Sequence, residues 1–69
     1  MKKINVGGVT IYEPNGDSPE DFIRCLVDDA NAKGLHEVNI GGITHPADRA
    51  KVETICEEKG IKVRFEGDN

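Results

Sequence analysis

The side chains with the widest chemical range in this 69-residue chain are two histidines, two cysteines and thirteen carboxylates. His45 follows a Gly41-Gly42 pair and could serve as a general base, because imidazole titrates near neutrality. No Ser, Cys or second His stands at a spacing that completes a dyad with it, so a capping or solvent-facing role is expected. His36 falls on the apolar parity of a strand and is expected to cover the core edge. Cys25 and Cys56 are far apart and form no C-x-x-C, and neither histidine has a cysteine at zinc-ligand spacing. A metal knuckle and a redox pair are therefore not indicated, and reduced cytoplasmic thiols are expected. Glu13, Asp17, Glu20 and Asp21 gather carboxylates but lack the D-x-D-x-D-G order of a calcium loop. No catalytic residue, metal or cofactor is assigned.

The stretch Gly41-Gly42-Ile43-Thr44-His45-Pro46 is a glycine loop between a strand and a helix N-terminus, where backbone N–H groups and the helix dipole can hold an anion. It resembles the phosphate loops of some βα barrels over about a dozen residues, in a chain far too short for a barrel. It has neither the P-loop lysine nor the dinucleotide fingerprint. Asp48 at the start of the second helix, and Asp17, Glu20 and Asp21 around the first, already supply carboxylates that compete for the same donors. Gly41, Gly42, Thr44 and His45 are kept as the residues of an alternative ligand or phosphate site.

The elements that must position these groups follow from periodicity. Ile4 and Val6 alternate with Lys3 and Asn5, and Val9 and Ile11 alternate with Thr10 and Tyr12; Gly7-Gly8 between them predicts a two-residue hairpin turn. Residues 13–18 read as a loop rich in turn formers. Ser18 at the N-cap, Pro19 at the first helical position and Asp21 three residues after the cap announce a helix with the stripe Phe22, Ile23, Leu26, Val27 and Ala30, stopped at Gly34. His36, Val38 and Ile40 share one strand face and Glu37 and Asn39 the other. Thr44 or His45 then caps a second helix begun by Pro46, with a thinner stripe of Val52, Ile55 and Cys56 and a stop at Gly60. Ile61, Val63 and Phe65 alternate through a last strand, and Gly67, Asp68 and Asn69 read as a frayed end.

The predicted fold is α/β: a two-layer ββαβαβ sandwich in one domain spanning residues 1–69, with a four-stranded mixed sheet and both helices on one face. Helix-linked strands run parallel with right-handed crossovers, and alternation in every strand implies one covered and one open face. The simplest strand order is 1-2-3-4 with the first strand antiparallel. Ile4-Asn5-Val6-Gly7-Gly8-Val9-Thr10 and Val38-Asn39-Ile40-Gly41-Gly42-Ile43-Thr44 also match each other. A duplication would allow a second topology, with strand 1 parallel to strand 3 and residues 9–13 as an edge. By parity the open face would carry Asn5, Thr10, Tyr12, Glu37, Asn39, Lys62, Arg64 and Glu66, with too few aromatics for an RNA-reading sheet.

Apolar residues make up 36%, and the eight glycines bring the sum to about 48%, near the globular average. Nine Lys plus Arg against thirteen Asp plus Glu leave a net charge of −4, which argues against nucleic-acid binding through bulk charge. Asn5, Gly7, Gly8 and Thr10 interrupt any export signal after Met1-Lys2-Lys3, and no apolar run approaches a membrane span. The sequence therefore leans away from an enzyme. It is read as a small acidic cytoplasmic protein-binding module, an accessory factor or inhibitor of the kind phages and mobile elements encode. Glu13, Asp17, Glu20, Asp21, Asp28 and Asp29 would steer a partner with a basic surface, and self-association into a homo-oligomer is an open alternative.

Overall fold

The computed structural model describes residues 1–66; the frayed end read at Gly67, Asp68 and Asn69 lies outside them. The elements run β1 (Lys2–Val6), β2 (Val9–Glu13), α1 (Pro19–Lys33), β3 (Glu37–Ile40), α2 (Pro46–Glu58) and β4 (Lys62–Phe65). The protein is α/β, with a four-stranded mixed sheet in the order β1-β2-β3-β4 and two helices. β1 pairs antiparallel with β2, while β2 with β3 and β3 with β4 pair parallel. The topology that would set β1 beside β3 is not adopted. The two Asn-x-Gly-Gly motifs also differ in use. Gly7 and Gly8, both at positive φ, turn the hairpin between β1 and β2, whereas Gly41 is buried at the end of β3 and donates its N–H to the Tyr12 carbonyl at 2.9 Å.

Both helices start where their caps predict. Ser18 is extended and its hydroxyl accepts from the Asp21 N–H at 3.3 Å, with Pro19 opening α1. Gly34 takes the left-handed conformation, and its N–H reaches the carbonyls of Ala30 and Asn31. At α2 the cap is His45 rather than Thr44: its Nδ1 accepts from the Ala47 N–H at 3.2 Å. That bond gives the His45 side chain a place in the cap of α2. Lys59 caps the far end of α2, followed by Gly60 at positive φ.

One apolar cluster joins the elements. α1 contributes Phe22, Ile23, Leu26, Val27 and Ala30. α2 contributes Val52 and Cys56, and the sheet contributes Tyr12, Val38, Ile40 and Val63, with Ile61 at the approach to β4. Cys56 is free and buried, and Cys25 is free and exposed. No helix among the described residues is long and apolar enough to cross a membrane.

The hairpin corrects the expected parity. Tyr12, assigned by alternation to the open face, is only 1% exposed and belongs to the core. Register carries the rest with it. Lys3 lies opposite Tyr12 and Asn5 opposite Thr10, so Asn5 and Thr10 also share the Tyr12 face, and Ile4, Val6, Val9 and Ile11 take the other. The reason is size and reach: Tyr12 fills the cluster with the largest side chain in the hairpin and sends its hydroxyl to Asp29 on α1. In β3 and β4 the parity is as expected, with Val38, Ile40 and Val63 buried. His36 is exposed just before β3 and does not cover the core edge.

Candidate functional site

The face of the sheet opposite Tyr12 is built from the alternate residues of all four strands. Pairing aligns Ile4 with Ile11, Ile11 with Asn39, and Asn39 with Arg64, which makes one row across the sheet. Val6 and Val9 pair at the hairpin end, and Glu37 pairs with Lys62 on the other side. The row therefore passes from apolar at the hairpin to charged at β4. Ile4 and Ile11 are half-buried, whereas Val6 is 57% and Val9 43% exposed. Four β-branched side chains on two adjacent strands thus form a continuous apolar patch that the core does not use.

Sequence alternation placed these four residues in the core, and so missed them as surface. The signal that could have found them is the competition within β2: if Tyr12 is inside, Ile11 and Val9 must be outside. Aromatic side chains carry a large hydrophobic payload, and a tyrosine with a carboxylate in reach of its hydroxyl can be buried whole. Asn5 and Thr10, on the Tyr12 face but outside the core, share an exposed bond of 2.8 Å from Thr10 Oγ1 to Asn5 Oδ1.

The six acidic residues expected to steer a partner are spread over three locations. Glu13 closes β2, half-buried, with Oε2 near the backbone of Gly41. Asp17 pairs with the Met1 amino group at 2.8 Å and also accepts from the Asn15 N–H, contacts that hold its carboxyl below the usual carboxylate range. On α1, Glu20 pairs with Lys51 of α2 at 2.8 Å, and Asp21 with Arg24 at 2.8 Å. The Lys51 ammonium lowers the Glu20 pKa, and Glu20 raises that of Lys51. Asp28 is exposed on the same helix. Asp29 accepts from the Tyr12 hydroxyl at 2.5 Å and pairs with Lys33 at 3.0 Å and Lys3 at 3.4 Å. Those bonds, Tyr12 foremost, pull its carboxyl down to about 2, while burial and then the Asp29 bond push the Tyr12 phenol up to about 12. Four of the six carboxylates are thus engaged within the chain.

Three of the four glycine-loop residues do converge. Gly42, Thr44 and His45 line a groove of about 260 Å³ between the starts of the two helices, with Pro14, Pro19 and Phe22 opposite. Gly41 is buried beneath Glu13 and Ile11 and takes no part in that lining. Asp17 and Asp48 also line the groove, so its charge is negative. Among the described residues, no group of three or more His, Cys, Asp or Glu is arranged to hold a metal ion.

A scan of protein-family models gave no match, and searches of the curated proteins and of the solved structures found none.

Proposed function

We propose that the chain is a small, single-domain, non-enzymatic protein-binding module that engages a partner protein through the Ile4, Val6, Val9 and Ile11 face of its sheet. In this reading the fold is a two-layer ββαβαβ sandwich with both helices on the Tyr12 face. What supports that arrangement is the shared cluster of Tyr12, Val38, Ile40 and Val63 with side chains from α1 and α2, the contact between the two helices, and the right-handed crossover expected of each βαβ unit. The observation that carries the function is the exposure of Val6 and Val9 beside Ile4 and Ile11 on a sheet whose other face holds the core. Apolar side chains left contiguous on a surface, with polar groups around them, mark interaction sites. The face carries no aromatic side chain for base stacking, which favours protein over nucleic acid as the occupant.

The test uses two altered baits in affinity capture from the native host at low salt. V6T/V9T keeps the β-branched shape and removes the apolar surface, while E20K/D21K reverses charge on α1. Loss of a captured protein with V6T/V9T and its retention with E20K/D21K is the expected result. The reverse pattern overturns the sheet-face reading and returns the site to the acidic surface of Glu13, Asp17, Glu20, Asp21, Asp28 and Asp29, with a basic partner.

A second reading rests on the groove that gathers Gly42, Thr44 and His45 at two helix starts. It makes the protein a small-ligand or phosphate-binding domain. Inorganic phosphate at millimolar concentration, followed through the amides of residues 41–47 by NMR, tests it: shifts confined to that loop support it, and unmoved amides discard it.

A further inference from the structure

The sheet ends on β1, and its charge differs from the rest of the molecule. β1 holds Lys2 and Lys3 and no acid, β2 and β3 add Glu13 and Glu37, and β4 adds Lys62 and Arg64, so the strands together carry +2. α1 sets Glu20, Asp21, Asp28 and Asp29 against Arg24 and Lys33, a balance of −2. α2 sets Asp48, Glu53, Glu57 and Glu58 against Arg49 and Lys51, again −2. A chain of net charge −4 thus presents a basic sheet.

The backbone of β1 is open on one side. In a two-residue hairpin the residues flanking the turn form a hydrogen-bonded pair, here Val6 with Val9. Pairs alternate from there, so Val6, Ile4 and Lys2 face β2 through their backbone groups, and the N–H and C=O of Lys3 and Asn5 point away from the sheet. β1 has no proline or bulge to block a neighbour. On the patch face, the side chains along this edge are Lys2, Ile4 and Val6 in that order.

Resting on the sheet-face reading above, we infer that β1 accepts an extended, acidic and apolar segment of a partner protein as a fifth strand. The main chain of that segment bonds to the outward groups of Lys3 and Asn5. Its apolar side chains extend the patch beside Ile4 and Val6, and its alternate carboxylates fall on the opposite face beside Lys3, where Lys3 and Lys33 together outnumber the one Asp29 carboxylate they share. Strand addition of this kind draws affinity from main-chain bonds and specificity from alternate side chains. Charge complementarity selects an acidic occupant. It disfavours a second copy added edge to edge, which would bring another pair of lysines to an edge that already has two.

The probes are three blocked peptides of about ten residues, enough for one long strand: alternating Val and Glu, alternating Val and Lys, and the Val/Glu peptide N-methylated at every residue, which removes the donors of both edges. Amide shifts and hydrogen exchange of the intact protein are followed by NMR. The Val/Glu peptide is expected to bind roughly tenfold more tightly than the Val/Lys peptide, to slow exchange at Lys3 and Asn5, and to weaken with salt; N-methylation should abolish binding. Equal binding of Val/Glu and Val/Lys, or no binding of Val/Glu at millimolar concentration, overturns the inference. Shifts at Val6 and Val9 without protection at Lys3 and Asn5 overturn strand addition while leaving the face reading intact. Shifts at the patch with anionic phospholipid vesicles and with no peptide assign it to a membrane surface and overturn both. V6T/V9T separates the readings from the other side, since it leaves the outward backbone of β1 in place.

Discussion

The Tyr12 hydroxyl donates to Asp29 Oδ2 at 2.5 Å, tying the second strand to the last turns of the first helix. With Lys3 and Lys33 on the same carboxylate, this one bond gathers β1, β2 and α1 at a single acceptor. It also gives the inward-facing tyrosine of the hairpin a partner for its hydroxyl. Y12F keeps the ring and removes the donor, leaving Asp29 with its two lysines. A loss of about 1.5–3 kcal/mol in urea denaturation is expected, the usual range for a hydrogen bond to a charged group. A loss near zero would mean that ring packing alone sets the parity.

The same bond gives stability a pH dependence at both ends. Asp29 is held at about 2 in the folded protein by Tyr12 first and Lys33 next, whereas an unfolded Asp titrates near 4. Its contribution is complete above about pH 4 and is lost as pH falls toward 2. Asp17 and Glu20 are lowered by the Met1 amine and by Lys51, and act with the same sign. At the alkaline end, Tyr12 is raised to about 12 by burial and by Asp29, against about 10 unfolded. That contribution is complete below about pH 10 and fades toward 12. Thermal melts across both windows should show the two declines; Y12F should weaken the alkaline one and leave the part due to the buried Cys56 thiol, raised to about 11, and to Lys51, raised by Glu20.

Side chains on opposite faces of the sheet should respond differently to truncation. V6T and V9T alter exposed positions and are expected to change unfolding free energy by less than about 0.5 kcal/mol. I40A empties a fully buried site and should cost about 2–5 kcal/mol. Comparable costs for all three would place the valines in the core and remove the patch.

The two thiols should be separable by rate. Cys25 is exposed on α1, while burial pushes the Cys56 thiol up to about 11. A thiol-specific chromogenic reagent at pH 8 is expected to titrate one group quickly in the native protein and the second only on unfolding. Fast reaction of both would contradict the packing of Cys56 between α2 and the sheet.

Both helices were legible because their ends are written locally. Ser18-Pro19 and His45-Pro46 start them, and Gly34 and Gly60 stop them. The strand order was legible from chain logic, since a hairpin followed by two crossovers permits it directly. The hairpin's phase was not. Alternation states a period of two, and which parity faces inward depends on contacts with α1 far along the chain. Ile4, Val6, Val9 and Ile11 are apolar, but Tyr12 competes for the same interior and brings a hydroxyl that Asp29 satisfies. The pairing of the acidic residues was hidden for a related reason. Their types were evident, while their ties to Met1, Arg24, Lys51, Lys3 and Lys33 belong to the folded chain.

Sheet order and chain order coincide from β1 to β4. During synthesis each new strand can therefore dock beside the one made just before it, and none has to slip between two that are already joined. The nascent sheet always grows at its newest border, so a ribosome paused before β4 would hold a three-stranded intermediate lacking Val63, the last buried residue of the core to emerge.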